Sequence, residues 1–439
     1  MRRILTLLTL LCLMLSPALA QDSAPPANPN ASAAARAVLQ YLYDLPNRGD
    51  NRFLTGQFGG FGDGQTVTLA AQHFEEATRA LGGQPALTGW DLWNTDQSIF
   101  QSIEEAQQWA ARYPRPLFTA SVHFRNPWTG GGSADNNGWR TQAPTWTRFP
   151  ITELVNTNTA AGATYHKWLD ELAAGLQWFE DRGRVVLWRP FHEMNGGWFW
   201  WTPRTTDAAQ FHALWRHMFD YFARVKGLDN LLWVYAPNVG FRDFDTFYPG
   251  AQYVDVIGLD YYKPLETAQP QLNTVGEYSW AVATGKPVYL SELGMRPSSG
   301  AGWNTYTYDY AGFLPHLRAQ YPRLVGALHW EWIFRLTYPY DTNQRSYGQD
   351  LWSITADELP DFGEAPLPTQ TSALTATPTR TPTRTPTQTA AAPTATPINP
   401  PTLTPTNTPI PPTVQPGCVE VVQRYVVGQP VGTPYTRNC

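Results

Sequence analysis

The sequence predicts an α/β chain folded as a closed parallel (β/α)8 barrel of the TIM type, and three observations predict it. Eight short apolar runs alternate with longer stretches of helical period across residues 37–362, the order expected of parallel strands joined by crossover helices. A body of that length suits eight such units in one domain. No GxGxxG or phosphate-binding loop follows the first run to favour an open doubly wound sheet.

The strand candidates run in order as Phe53 to Gln57, Pro85 to Asp91, Leu117 to Phe124, Val185 to Glu193, Leu231 to Pro237, Val254 to Tyr262, Pro287 to Gly294 and Leu324 to Trp332. Each is a short, strand-like run. Between them lie segments such as HKWLDELAAGLQWFEDRG and DAAQFHALWRHMFDYFARVKG. Apolar residues recur there every three or four positions, and a glycine marks the stop.

In such barrels the chemistry gathers at the C-terminal strand ends. His123, Glu193, Asp260, Tyr262, Glu292 and Trp330 all fall at the ends of their runs. Strand parity puts Arg189, Phe191 and Glu193 on one inward face of strand four, and Asp260 with Tyr262 on one face of strand six. On strand seven it aligns Val288, Leu290 and Glu292. Arg189 lies one layer deeper than Glu193, so an ion pair behind the pocket is expected, with Asp91 as a candidate partner or a sugar ligand. Gly56 and Gln57 are weaker candidates for the same roles.

Composition narrows the ligand. The formal charge is -5 over 439 residues, and Lys and Arg are scattered, so no nucleic-acid footprint exists. Aromatic residues make up 14%, with 19 Trp. Flat rings with polar tips suit ligands with apolar faces and polar rims, as sugars have. The segment RPFHEMNGGWFWW, Arg189 to Trp201, concentrates both kinds of residue. Trp200, Trp201 and Trp332 suit either core or sugar platform.

The N-terminus has two arginines, an apolar run from Ile4 to Leu15 that includes Cys12, and an Ala18-Leu19-Ala20 site, the layout of a secretory signal over residues 1–20. The run is too short for a membrane span. Residues 363–414 are dominated by Thr-Pro repeats, which cannot bury a core and read as an extended, disordered linker open to O-glycosylation. Residues 415–439 alternate at strand period, as a hairpin or an attachment tail would. An oxidising compartment permits Cys418 and Cys439 to pair, and two unpaired thiols are the other reading.

Two inward carboxylates at different strand ends, Glu193 and Glu292, fit glycoside hydrolysis, in which one group protonates the departing oxygen and the other attacks or activates water. Each alone could equally be a salt-bridged barrel residue. RPFHEMNGGWFWW and VYLSELG resemble the acid/base and nucleophile segments of glycoside hydrolase family 26, whose members include secreted endo-β-1,4-mannanases with retaining (β/α)8 barrels. TGQ, GWD, SVHF, GLDYY and HW fall into place as well.

The resemblance implies that Glu193 is the general acid/base and Glu292 the nucleophile. His192 would set charge and orientation beside the acid, Trp198 would pack at the cleavage subsite, and Tyr262 would hydrogen-bond the nucleophile. His123, Asp260 and Trp330 would complete the substrate-binding floor. One departure stands out: the eighth run reads HWEW, where mannanases of the family commonly follow the tryptophan with a basic residue, so Glu331 would alter the outer sugar-contacting surface.

A β-1,3/1,4-glucanase or xylanase on the same barrel is the nearest alternative, and a non-catalytic secreted carbohydrate-binding protein is one of another class. A zinc hydrolase is disfavoured because Gly196 stands where HExxH needs its second histidine. No cofactor or metal fingerprint is evident. The expected partner is β-mannan or a related plant polysaccharide, met outside the cell by a monomer, with the C-terminal tail as a route to the cell surface.

Overall fold

The structure, a computed structural model, describes residues 24–60, 67–93, 98–134, 150–202, 207–262, 268–295, 307–338 and 341–363, with the backbone of 419–426 and 429–438. The signal-like segment, the linker beyond Gly363, Cys418 and Cys439 lie outside the described residues.

Eight parallel strands follow in chain order: β1 Phe53–Leu54, β2 Leu87–Asp91, β3 Leu117–Ser121, β4 Val186–Arg189, β5 Leu231–Tyr235, β6 Val256–Tyr262, β7 Val288–Gly294 and β8 Leu324–His329. From β2 to β8 each pairs with the next, and β8 pairs with β1. Parallel bridges Gly56 to Leu87 and Gly60 to Trp90 close the ring between β1 and β2. A two-residue β9, Ser353–Ile354, runs beside β1. Residues Val419–Val426 and Gln429–Asn438 form a separate antiparallel ribbon.

The crossovers explain themselves locally. Helix α1, Ala33–Asp44, precedes the barrel, and its apolar face joins inward residues Leu87, Leu117, Leu187 and Leu232 in one cluster, which plugs the N-terminal end. Helices α2 (Val67–Leu81), α3 (Ile99–Arg112), α4 (Ala160–Glu180) and α5 (Ala208–Phe219) connect the first five strands. Ser98, Thr159 and Asp207 cap α3, α4 and α5 by accepting from a backbone N–H three residues on, satisfying donors the first turn leaves open. Among the described residues, a single 3-10 turn, Ala251–Tyr253, stands between β5 and β6. Helices α6 (Glu277–Ala283) and α7 (Phe313–Gln320) complete the circuit. No helix among the described residues is long and apolar enough to cross a membrane.

Side chains that face outward, including Trp188, Trp233, Leu259 and Leu290, pack under the helices in the larger core. Strand parity fails at two places. β4 ends at Arg189, and Phe191 and Glu193 both adopt positive φ, 49° and 52°. Phe191 therefore leaves the face of Arg189 and packs outward on Phe124, Trp201 and Phe211. On β7, Val288 and Leu290 belong to the outer core and Tyr289 to the inner cluster, the reverse of the expected parity. Leu259 pairs with Leu290, but Asp260 pairs with Glu292, so Ser291 is one residue too many. That bulge rotates Glu292 into the barrel.

The bulge needs room. A Cβ on Gly258 would come within 2.2 Å of the Ser291 hydroxyl oxygen and 2.7 Å of its Cβ. Gly258→Ala is therefore expected to destabilise the barrel by about 1–3 kcal/mol through overpacking, read as a lower urea midpoint at unchanged m-value.

Candidate active site

At the C-terminal mouth, Arg189 from β4 sits beneath three carboxylates. Its Nη1 donates to Asp260 Oδ2 at 2.9 Å and its Nη2 to Glu292 Oε1 at 2.5 Å, with all three residues buried. This corrects the expected partner of Arg189. Asp91 instead accepts from Ser121 Oγ at 2.7 Å and bonds His123 Nδ1 at 2.8 Å. Asp260 also accepts from Ser291 Oγ at 2.5 Å. With both oxygens engaged and the side chain buried, it supports the floor from below and presents no open surface to a sugar.

Glu193 and Glu292 face each other. One oxygen from each of Glu193, Asp260 and Glu292 lies within 4.8 Å of the others. Such a triad could draw in a cation, but the Arg189 guanidinium already bonds two of the three and supplies the positive charge.

Neutral donors hold Glu193. Trp198 Nε1 donates to its Oε2 at 2.8 Å, and Asn238 Nδ2 donates to its Oε1. Burial, with the charges of Glu292 and Asp260 adding to it, pushes the Glu193 carboxyl well above the ordinary glutamate range, while these two bonds pull the other way. Glu292 is bound by charge as well: besides Arg189, Tyr262 OH donates to its Oε2 at 2.6 Å. Burial first, and then the Glu292 charge, keep the Tyr262 phenol protonated by raising it well above its usual value. For Arg189, the pull of Asp260 and Glu292 outweighs a desolvation that alone would lower it.

The two histidines form a chain. His123 Nδ1 meets Asp91, and His123 Nε2 lies 3.1 Å from His192 Nε2, which is 3.9 Å from Glu292 Oε1. Asp91 accepts from His123 Nδ1–H, and the two Nε2 atoms of His123 and His192 share one hydrogen bond. Burial, Arg189 and His123 together lower the His192 ring well below its ordinary value. That shift disfavours a charged ring and leaves His192 placed to orient its neighbours.

The aromatic residues divide cleanly. Trp200 and Trp201 are fully buried and donate to Phe124 O at 3.0 Å and His192 O at 2.9 Å, so both are core. Trp330 is 2% exposed and stacks on Phe58 with centroids 4.4 Å apart, a wall of the pocket near His123. Trp198 and Tyr262 are half-buried at the mouth, and Trp332 is half-buried at a φ of 61°.

Glu331 corrects another expectation. It is buried, bonded to His73 of α2 and to Gln57 Nε2 at 3.2 Å, and so contributes no outer sugar-contacting surface. Gln57 in turn accepts from Leu336 N at 2.9 Å, a clamp on the segment after β8. Asn238, absent from the candidate residues, touches Glu193 directly. It lies one residue past the fifth apolar run, the one run whose polar end was not named.

Residues 27–325 match the family model for glycosyl hydrolase family 26. The chain belongs to that family. As a family 26 glycoside hydrolase it is 35% identical over 356 residues to mannan endo-1,4-beta-mannosidase A and B of Caldalkalibacillus mannanilyticus, a match covering 77% of this chain and 63% of that relative's length. It is 30% identical over 360 residues to a Bacillus subtilis mannan endo-1,4-beta-mannosidase, covering 76% of this chain and 89% of the relative. The solved structure of a Bacillus subtilis mannanase superposes with a TM-score of 0.65 at 28% identity, covering 77% of this chain and 97% of that one. The family 26 chain thus has the barrel its sequence predicts.

Asn238 offers a test of the electrostatics. Its N–H bond favours the ionised form of Glu193, so removing it raises the affinity of Glu193 for its proton. In Asn238→Ala the alkaline limb of kcat/KM, where a required acid deprotonates, is expected to move to higher pH. A limb that stays in place or moves down would show that Asn238 does not tune Glu193.

Proposed function

We propose that the protein is a secreted, retaining β-1,4-mannanase that cuts mannan-type polysaccharides by double displacement. The observation that carries this reading is the close approach of Glu193 and Glu292, one oxygen of each lying within 4.8 Å of the other. Retaining glycosidases hold their carboxyl groups about 5–5.5 Å apart, whereas inverting ones need roughly 6.5–9.5 Å to admit a water.

The two environments divide the labour. Glu292 attacks the anomeric carbon, forming an ester bond as the glycosidic C–O bond breaks. Glu193 gives its proton to the departing oxygen, so the leaving chain departs as an alcohol. Glu193, now ionised, takes a proton from water, whose oxygen attacks the same carbon and expels Glu292. The Tyr262 hydroxyl and the Arg189 guanidinium stabilise the carboxylate of Glu292 each time it is released. His123, His192 and Trp330 frame the ring that reacts.

Mannan as substrate is supported by the names of the relatives, and export by the layout of residues 1–20. The Thr-Pro linker and the C-terminal ribbon complete the proposed arrangement of barrel, spacer and tail. A glucanase is the second reading, supported by 27% identity over 163 residues to endoglucanase H of Acetivibrio thermocellus, a match covering 33% of this chain.

Purified mature protein is expected to release short oligosaccharides from soluble β-mannan, measured as reducing sugar. Glu292→Gln should lower that rate by about 10⁴-fold or more while the circular dichroism spectrum stays unchanged, because the amide keeps its place beside Arg189 and Tyr262. Hydrolysis of barley glucan without mannan would select the second reading. No hydrolysis of any β-linked polysaccharide would leave a carbohydrate-binding protein.

A further inference from the structure

Six large apolar side chains stand exposed among the described residues, and Phe241 is one of them, at 41%. It differs from the others in its setting. Its ring meets Trp198 edge-on, with centroids 5.2 Å apart and planes at 81°, and Trp198 is the residue that bonds Glu193 Oε2. The other oxygen of Glu193 is held by Asn238, three residues before Phe241. One short loop therefore carries both a support for the acid and an open aromatic face beside it.

The backbone that presents Phe241 is firmly built. Asn195 donates from Nδ2 to Asn238 O at 2.9 Å and to Phe241 O at 3.2 Å, and accepts from Asn238 N at 2.8 Å. Gly240, at a φ of 94°, donates its N–H to the buried Glu277 carboxylate at 2.5 Å. A loop pinned from both sides, in which the exposed element is a phenyl ring, has the form of a platform for a ligand with an apolar face.

Position decides which part of the ligand. In the glycosidase reading the reacting ring sits at Glu193 and Glu292, one oxygen of each lying within 4.8 Å of the other, and Trp330 directly follows β8. The acid protonates the oxygen that leads to the departing chain, so sugars beyond that oxygen pass Glu193 on the side of Trp198. Phe241, on the loop after β5, packs edge-on against Trp198 and leaves its other face open. We propose that Trp198 and Phe241 form an aromatic corner that binds the leaving side of the polysaccharide, with Phe241 the platform for the sugar beyond the one Trp198 faces. This rests on the glycosidase reading above and assigns a specificity-determining residue to it.

The test compares two substrates on wild type, Phe241→Ala and Phe241→Tyr: mannopentaose, which places sugars on the leaving side, and an activated aryl β-mannobioside, which places none. In Phe241→Ala the loss of kcat/KM on mannopentaose is expected to exceed the loss on the aryl glycoside by about tenfold, and Phe241→Tyr should restore most of it. The alkaline limb on the aryl substrate should stay at the wild-type pH, since the bonds to Glu193 remain. Equal losses on both substrates, no loss on either, or a Tyr variant as poor as Ala would overturn the proposal. The wild-type rate on mannopentaose reports the mannanase reading separately. Should wild type cut cellopentaose instead, the same comparison with cellopentaose and an aryl β-cellobioside decides Phe241, and the mannan reading alone falls.

Discussion

The Arg189 guanidinium forks beneath Asp260 and Glu292, and the protonation of the whole pocket depends on that fork. Three carboxylates with oxygens inside 4.8 Å cannot all ionise around one cation in a buried site, because each added charge raises the cost for the others. Glu193 has only the neutral donors Trp198 and Asn238 among the described residues, and burial with the charges of Glu292 and Asp260 pushes its carboxyl well above the ordinary range. Burial raises the Asp260 carboxyl as well, against the pull of Arg189. Glu292 is bonded instead by the Arg189 guanidinium and the Tyr262 hydroxyl. The proposed division into acid and nucleophile rests on where that single guanidinium reaches.

Bringing these groups together required departures from regular strand geometry. Glu292 enters the barrel because Ser291 is an extra residue, and Ser291 fits because Gly258 has no side chain. Glu193 arrives through a turn in which two non-glycine residues hold positive φ, a strain of about 1–3 kcal/mol for each. The aromatic cluster around Phe191, Trp200 and Trp201 buries large rings under that turn and overdetermines its shape. Part of the answer to why one segment crowds so many aromatics is therefore mechanical: they hold the acid in a strained position, and only Trp198 of the group both touches Glu193 and reaches the mouth.

What the sequence shows and what it hides divide along the same line. Strand runs and their polar ends were legible because burial on both faces writes continuous apolar stretches, and the barrel follows from their alternation with helices. Parity arguments held on β6, where Asp260 and Tyr262 do share the inner face, and broke on β7 and after β4, because a bulge and two left-handed residues leave no clear mark in a single sequence. Long-range pairings were equally hidden. Nothing near Glu331 points to His73 more than 250 residues earlier, and Asn238, one position past an apolar run, carries the sequence pattern of a loop although it bonds Glu193.

The measurement that bears most directly on the division of roles is mass spectrometry of Glu193→Ala protein incubated with an activated 2-deoxy-2-fluoro-β-mannoside. Slowing the second step should trap one sugar per chain, and peptide sequencing should place it on Glu292. An adduct on another carboxylate, or a first product of inverted anomeric configuration in the wild-type reaction, would contradict the account.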